Sequence, residues 1–259
     1  MPFGRRNANQ LAVDAAWKPF EARGKPALRK KRKADPSDER MRRQRRKRVL
    51  CRGYRCCMVR RMADDRFRLL GVSGSLREKS RTALALRLLL DFAEEHGAET
   101  RMLDLRAIEL PLYRPDGPGG SAAELRLGAD MKWASGVVLA SPDYHGSMSG
   151  TMKNFLDYNW EECAGKVFGY ICSSHEKGLT VMDQLRTVVR QCYGWSMPYG
   201  VSFDGRADFD SEGKLKHEKV EARLRMMARD LVVYGALIHQ QFLSDVAGSD
   251  ARTFAAAYR

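Results

Sequence analysis

The sequence predicts an α/β domain of three layers with five parallel strands in its sheet, preceded by a disordered basic leader. Three observations carry this reading. From Phe67 onward, short apolar runs alternate with stretches of helical periodicity, the order that βαβ units impose. That region spans ~190 residues, enough for one substantial core. The charge is also divided: residues 1–66 hold 22 Lys and Arg against 7 Asp and Glu, leaving 24 against 25 for the rest. The balance of +14 therefore belongs to the leader and says nothing about the partners of the neutral domain.

In the leader, no apolar periodicity lasts for a helix length, and RKKRKADPSDERMRRQRRKR is too charged to bury a core. We expect residues 1–65 to be disordered and 66–259 to form the domain. A nuclear-import signal, a nucleic-acid-binding arm and a transit peptide compete as functions for the leader; its single serine, Ser37, among several acids disfavours the last. Against all three stands an over-long start, with Met62 as the expected initiator, because ADDRFRLLGVSGS follows it at once and reads as the opening of a domain.

The elements follow in order. Strands are expected at Phe67 to Val72, Thr100 to Leu105, Gly136 to Ala140, Val167 to Cys172 and Pro198 to Phe203. Helices are expected at Thr82 to His96, Ala122 to Trp133, Gly150 to Tyr158, Thr180 to Gln191 and Glu218 to Tyr234. Two connections exceed what a connector needs: Ile108 to Ser121, rich in Pro and Gly, and the polar, acidic Ser202 to Leu215. Each reads equally as a substrate lid or as a surface excursion. The most apolar stretch, Ala83 to Ala93, carries Arg87 and Asp91 and is amphipathic, so no membrane span is expected. Cys51, Cys56, Cys57, Cys163, Cys172 and Cys192 have no CxxC spacing; a zinc site is not expected, and a reduced, cytoplasmic setting is.

Two loops carry the chemistry. After the first strand come Ser73, Ser75, Arg77, Ser80 and Thr82, without a GxGxxG fingerprint or a Walker lysine. Hydroxyls, one guanidinium fork and helix-start amides suit a phosphate monoester, although Ser and Thr also cap helices routinely. After the third strand comes SPDYHGSMSGTMKNFLDY, where Pro142 is expected to break the strand and Tyr144 and His145 offer aromatic surface and donors. In a sheet of flavodoxin-like strand order these two loops flank the topological switch point. A phosphate at the first and a flat ring at the second describe a flavin mononucleotide.

GSLREKS and PDYHGSMSGTMKN give the chain a resemblance to the NADPH-dependent FMN reductases, a family of flavodoxin-like quinone, chromate and azo reductases, over about Arg68 to Ile238. By that resemblance Ser75, Arg77, Ser80 and Thr82 hold the FMN phosphate. Pro142, Asp143, Tyr144, His145 and Gly146 line the ring edge, and the stretch from Ser173 and Ser174 to Gly178 closes its far side. The family usually has Glu, Asn and Pro where this chain has Asp143, His145 and Ser149, and more glycine in the segment SSHEKG. His145 followed by GxMxGxMK is also similar to the arsenic-resistance branch.

The resemblance implies FMN as cofactor and NADPH or NADH as co-substrate, with hydride passing to the flavin and electrons then to a small-molecule acceptor. Quinones, nitro or azo compounds, metal oxyanions and free flavin are all acceptors of this class. His145 is the candidate catalytic residue, a donor whose protonated form would stabilise an anionic reduced flavin; a plain loop histidine is the alternative. Lys153, Asn154 and Asp157 are placed by the resemblance at a subunit contact, implying a homodimer or homotetramer, or they sit on an ordinary amphipathic helix. Met148, Met152 and Met182 read as a cofactor wall or as core filling. Two other functions compete: an FMN-binding electron carrier or redox sensor, and nucleic-acid association through the leader.

Overall fold

The computed structural model describes residues 66–117 and 119–259, so the leader and its cysteines lie outside the described residues. Along the chain run β1 (Arg68–Ser73), α1 (Arg81–Glu95), β2 (Glu99–Asp104), α2 (Ala122–Trp133), β3 (Gly136–Tyr144), β4 (Ser147–Met148), α3 (Gly150–Asp157), β5 (Val167–Ser173), α4 (Leu179–Gln191), β6 (Trp195–Ser196), β7 (Val201–Phe203) and α5 (Glu218–Ala247).

Leu69 and Leu70 explain the layering. Neighbours in β1 and both buried, they enter different hydrophobic clusters, because successive strand residues face opposite sides of a sheet. Val137 and Val138 in β3 divide in the same way, as do Tyr170 and Ile171 in β5. One cluster takes Leu86 and Leu89 from α1 with Leu224, Met227 and Leu231 from α5. The other takes Leu127 and Met131 from α2, Met152 and Phe155 from α3, and Val181 and Leu185 from α4. Strands covered on both faces read as continuous apolar runs, which is why β1, β3 and β5 were legible.

The sheet order is β2-β1-β3-β5-β6, with every pair along it parallel, the doubly wound order expected from sequence. It holds seven strands rather than five. The expected fifth strand, Pro198 to Phe203, shortens to β7 (Val201–Phe203), which pairs with Ile171 to Ser173, while β6, upstream of it, pairs with Val167 and Phe168 on the same outer edge of β5. Pro198 lies between the two, where it has no N–H to give the ladder. The seventh strand, β4, pairs antiparallel with the end of β3.

The last helix also differs: it runs on to Ala247 instead of ending at Tyr234. Gly235 inside this helix is a packing residue, since a Cβ there would lie 2.5 Å from the Phe67 ring. Met148, Met152 and Met182 are buried in the core, so core filling is their role.

Candidate functional site

The carboxyl ends of β1, β3, β5 and β7 surround a cleft of about 930 Å³. Its first wall is the β1–α1 connection. Ser80 caps α1 by accepting from Ala83 N at 3.1 Å, so the cap serine is committed to the helix while the backbone N–H groups of Arg81 and Thr82 have no carbonyl within the helix. Ser75 Oγ accepts the Arg77 N–H at 3.4 Å. Arg77 is exposed at the cleft, and among the described residues its guanidinium meets no carboxylate.

The second wall corrects one expectation. Pro142 does not break β3; it pairs with Ser173, and the strand continues to Tyr144. His145 and Gly146, at φ 58° and 76°, then form a two-residue turn into β4, with Asp143 opposite Met148 and Tyr144 opposite Ser147. Two positive φ angles match the twist of a tight hairpin, and Gly146 adopts one without strain. Asp143 holds the turn: Oδ1 accepts Gly146 N at 2.8 Å, and Oδ2 accepts Ser174 Oγ at 2.7 Å from the β5–α4 connection. It is a turn residue, as its type suggests.

Ser149 locks the first two walls together. It caps α3 by accepting Met152 N at 3.1 Å, and its hydroxyl donates to the Gly74 carbonyl at 2.7 Å. A proline, the residue the resemblance gives for this position, has no hydroxyl to do either.

The connection Ser202 to Leu215 is the part of the cleft that sequence reasoning left undecided. Gly205, Arg206, Phe209, Asp210 and Ser211 line the cleft, and so does Lys216 just beyond. Two tethers hold this lid. Arg81, in the first turn of α1, donates to the Asp210 carbonyl at 2.6 Å and lies 5.8 Å from the centre of the Phe209 ring. His175, from the β5–α4 connection, pairs through Nδ1 with Asp204 Oδ2 at 2.5 Å. The Asp204 carboxyl lies below its ordinary value, held there first by the Arg206 N–H and then by His175. The Asp210 carboxyl is lowered by the Lys214 N–H.

The other long connection, Ile108 to Ser121, is absent from the cleft lining. Asn154 fastens it to α3, accepting Tyr113 N at 2.8 Å and donating to the Pro111 carbonyl at 2.8 Å, and the Tyr113 and Tyr158 rings meet edge to face at 5.1 Å. Asn154 thus serves a contact within the chain, and Lys153 pairs with Asp157 one turn on.

Residues 67–208, more than half of the chain, match the family described as NADPH-dependent FMN reductase. The chain belongs to this family.

Membership in the NADPH-dependent FMN reductases makes it an NAD(P)H-dependent oxidoreductase with FMN as cofactor. It is 28% identical over 188 residues to the NADPH-dependent FMN reductase ArsH of Shigella flexneri, covering 69% of this chain and 73% of the relative. To an NADPH azoreductase of Bacillus sp. (strain OY1-2) it is 29% identical over 149 residues, 56% of this chain and 81% of the relative. The structure of the flavoenzyme NAD(P)H:(acceptor) oxidoreductase FerB from Paracoccus denitrificans shares the fold, with TM-score 0.57 and 20% identity over 66% of this chain and 98% of the other.

Of the site residues read from the sequence of this FMN reductase, the cleft brings together Ser75, Arg77, Ser80, Thr82, Pro142, Asp143, Tyr144, His145, Gly146, Ser173 and Ser174. Ser73 is not in its lining; it is fully buried at the end of β1, with its hydroxyl unpartnered. Sequence reasoning missed Arg81 and Thr180, and left Ser202 to Leu215 open between a lid and a surface excursion. It also missed the charge of the site, because the neutral balance of the domain conceals a cleft lined by Arg77, Lys79, Arg81, Arg206 and Lys216 against Asp143, Glu176 and Asp210. Among the described residues no group of three His, Cys, Asp or Glu is placed to hold a metal, and no helix is long and apolar enough to cross a membrane.

Proposed function

We propose that this chain passes hydride from NAD(P)H to FMN bound in the cleft, and then electrons to a small acceptor: a quinone, a nitro or azo compound, a metal oxyanion or free flavin. The observation that carries the proposal is the meeting, in one cleft, of the Ser75–Thr82 connection with the Pro142–Gly146 hairpin. The donor set fits the group. Arg77, the Ser75 and Thr82 hydroxyls and the free amides at the start of α1 offer a phosphate monoester one charge and several hydrogen bonds. Pro142, Tyr144 and Gly146 offer a mostly uncharged surface to a flat ring, and Ser173 and Ser174 bound its other side.

When bound, FMN supplies the two-electron chemistry, so the chain's task is to position flat molecules and exclude water. Asp143 keeps the hairpin and the β5–α4 connection at one spacing through its two carboxylate oxygens. The lid lines the cleft with Phe209, whose ring is packed into the core. His145, exposed at the turn within the proposed ring wall, is the candidate to donate a hydrogen bond to the ligand.

The cationic lining supports a reductase that takes up anionic dinucleotides over an electron carrier, which would present an acidic surface near its flavin. Met226, Tyr234 and Leu237 share an exposed stripe of α5 and support a homodimer or homotetramer. The test is a visible spectrum of the purified chain with and without NADPH in the absence of air. A yellow protein bleached by NADPH is expected; a colourless protein that takes up no FMN overturns the proposal, and colour that NADPH does not bleach moves it to a carrier.

A further inference from the structure

Arg206 on the lid and Lys216 just beyond it line the cleft, and neither has a counter-ion among the described residues. The lid's carboxylates are occupied elsewhere. Asp204 accepts the Arg206 and Ala207 N–H groups and pairs with His175. Asp208 accepts the Asp204 N–H at 2.7 Å, with His217 4.0 Å away, and Asp210 accepts the Lys214 N–H at 2.8 Å. Asp204 also anchors the backbone at Arg206, and Lys216 Nζ donates to the Arg206 carbonyl at 3.4 Å, so the two residues meet at that backbone. Among the described residues, neither the Arg206 guanidinium nor the Lys216 ammonium meets a carboxylate.

Two cations that line one ligand cleft, one with its ammonium on the backbone of the other and neither with a carboxylate partner among the described residues, are matched by a dianion. They stand on a different connection from the one proposed above for the FMN phosphate. Resting on that proposed function, we propose that Arg206 and Lys216 bind the 2′-phosphate of NADPH and are the residues by which this chain prefers NADPH to NADH. The pyrophosphate common to both nucleotides is the competing source of negative charge, and it would give no preference between them.

The test uses the full chain as purified. Adenosine 2′,5′-bisphosphate and 5′-AMP are titrated by calorimetry at two salt concentrations, and steady-state KM is measured for NADPH and NADH. The bisphosphate is expected to bind at least tenfold more tightly than 5′-AMP, with the difference shrinking as salt rises. The Arg206→Gln, Lys216→Gln double variant should lose that difference and raise KM for NADPH about tenfold or more, while KM for NADH and FMN content stay within about twofold. Arg206→Lys should keep most of the preference. The proposal is overturned if the wild-type chain binds both mononucleotides equally, if the double variant impairs both nicotinamides alike, or if it loses FMN instead. Failure of the underlying reading looks different: a wild-type chain that holds no FMN or is not bleached by NADPH, whatever its preference for the bisphosphate.

Discussion

The Ser149 hydroxyl donates to the Gly74 carbonyl at 2.7 Å, joining the start of α3 to the loop that follows β1. The two residues are 75 apart in sequence, and a Cβ on Gly74 would lie 2.8 Å from the same hydroxyl. This side chain, together with the Gly74 N–H donated to the Ala140 carbonyl at 2.9 Å, holds the two loops of the cleft at one distance. Ser149→Ala removes a helix cap and strands a buried carbonyl, and should cost about 2 kcal/mol in urea unfolding. FMN affinity should fall with it.

Arg77 lies at the other extreme. It is exposed, and its guanidinium carries no structural contact among the described residues. Arg77→Ala should therefore raise the FMN dissociation constant about tenfold or more with no change in unfolding midpoint. Reduced stability with unchanged FMN affinity would make Arg77 structural.

The tether between His175 and Asp204 predicts a pH effect. The folded Asp204 carboxyl titrates below its ordinary value, so its contribution is complete above the unfolded value of about 3.9 and is lost as pH falls through the lower folded value. As pH falls through that lower value, the protection factors of the Arg206 and Ala207 amides should drop, and Asp204→Asn should show the same drop already at neutral pH.

Gly235 tests packing against propensity. Alanine is the better helix former by about 1 kcal/mol, but its methyl would meet the Phe67 ring at 2.5 Å. Gly235→Ala should destabilise by about 1–3 kcal/mol, and pairing it with Phe67→Leu should recover part of the loss.

The central strands were legible because each is buried on both faces, leaving an apolar run that nothing else in the chain imitates. The edge was not: β6 is two exposed residues, and its pairing depends on β5 rather than on any pattern of its own. The hairpin at His145 and Gly146 carried a readable signal, two turn-prone residues between pairing positions, but Pro142 masked it by suggesting an earlier end to the strand. In the site, hydroxyls and glycines close together in sequence announced two walls. The lid's contribution came through Arg81 and Asp210, 129 residues apart, and contacts at that separation leave no trace in local spacing.

The lid is strapped down at two points, by Arg81 from the first wall and by His175 from the β5–α4 connection. In the reductase proposed above, oxidised nicotinamide must leave before an acceptor can enter the same space, so each cycle requires the strap to loosen and re-fasten. The expected outcome is that flavin reduction measured in a single turnover outpaces kcat. A variant with one strap cut, Asp204→Asn, should cycle faster with small acceptors, and its reduced flavin should leak more electrons to oxygen.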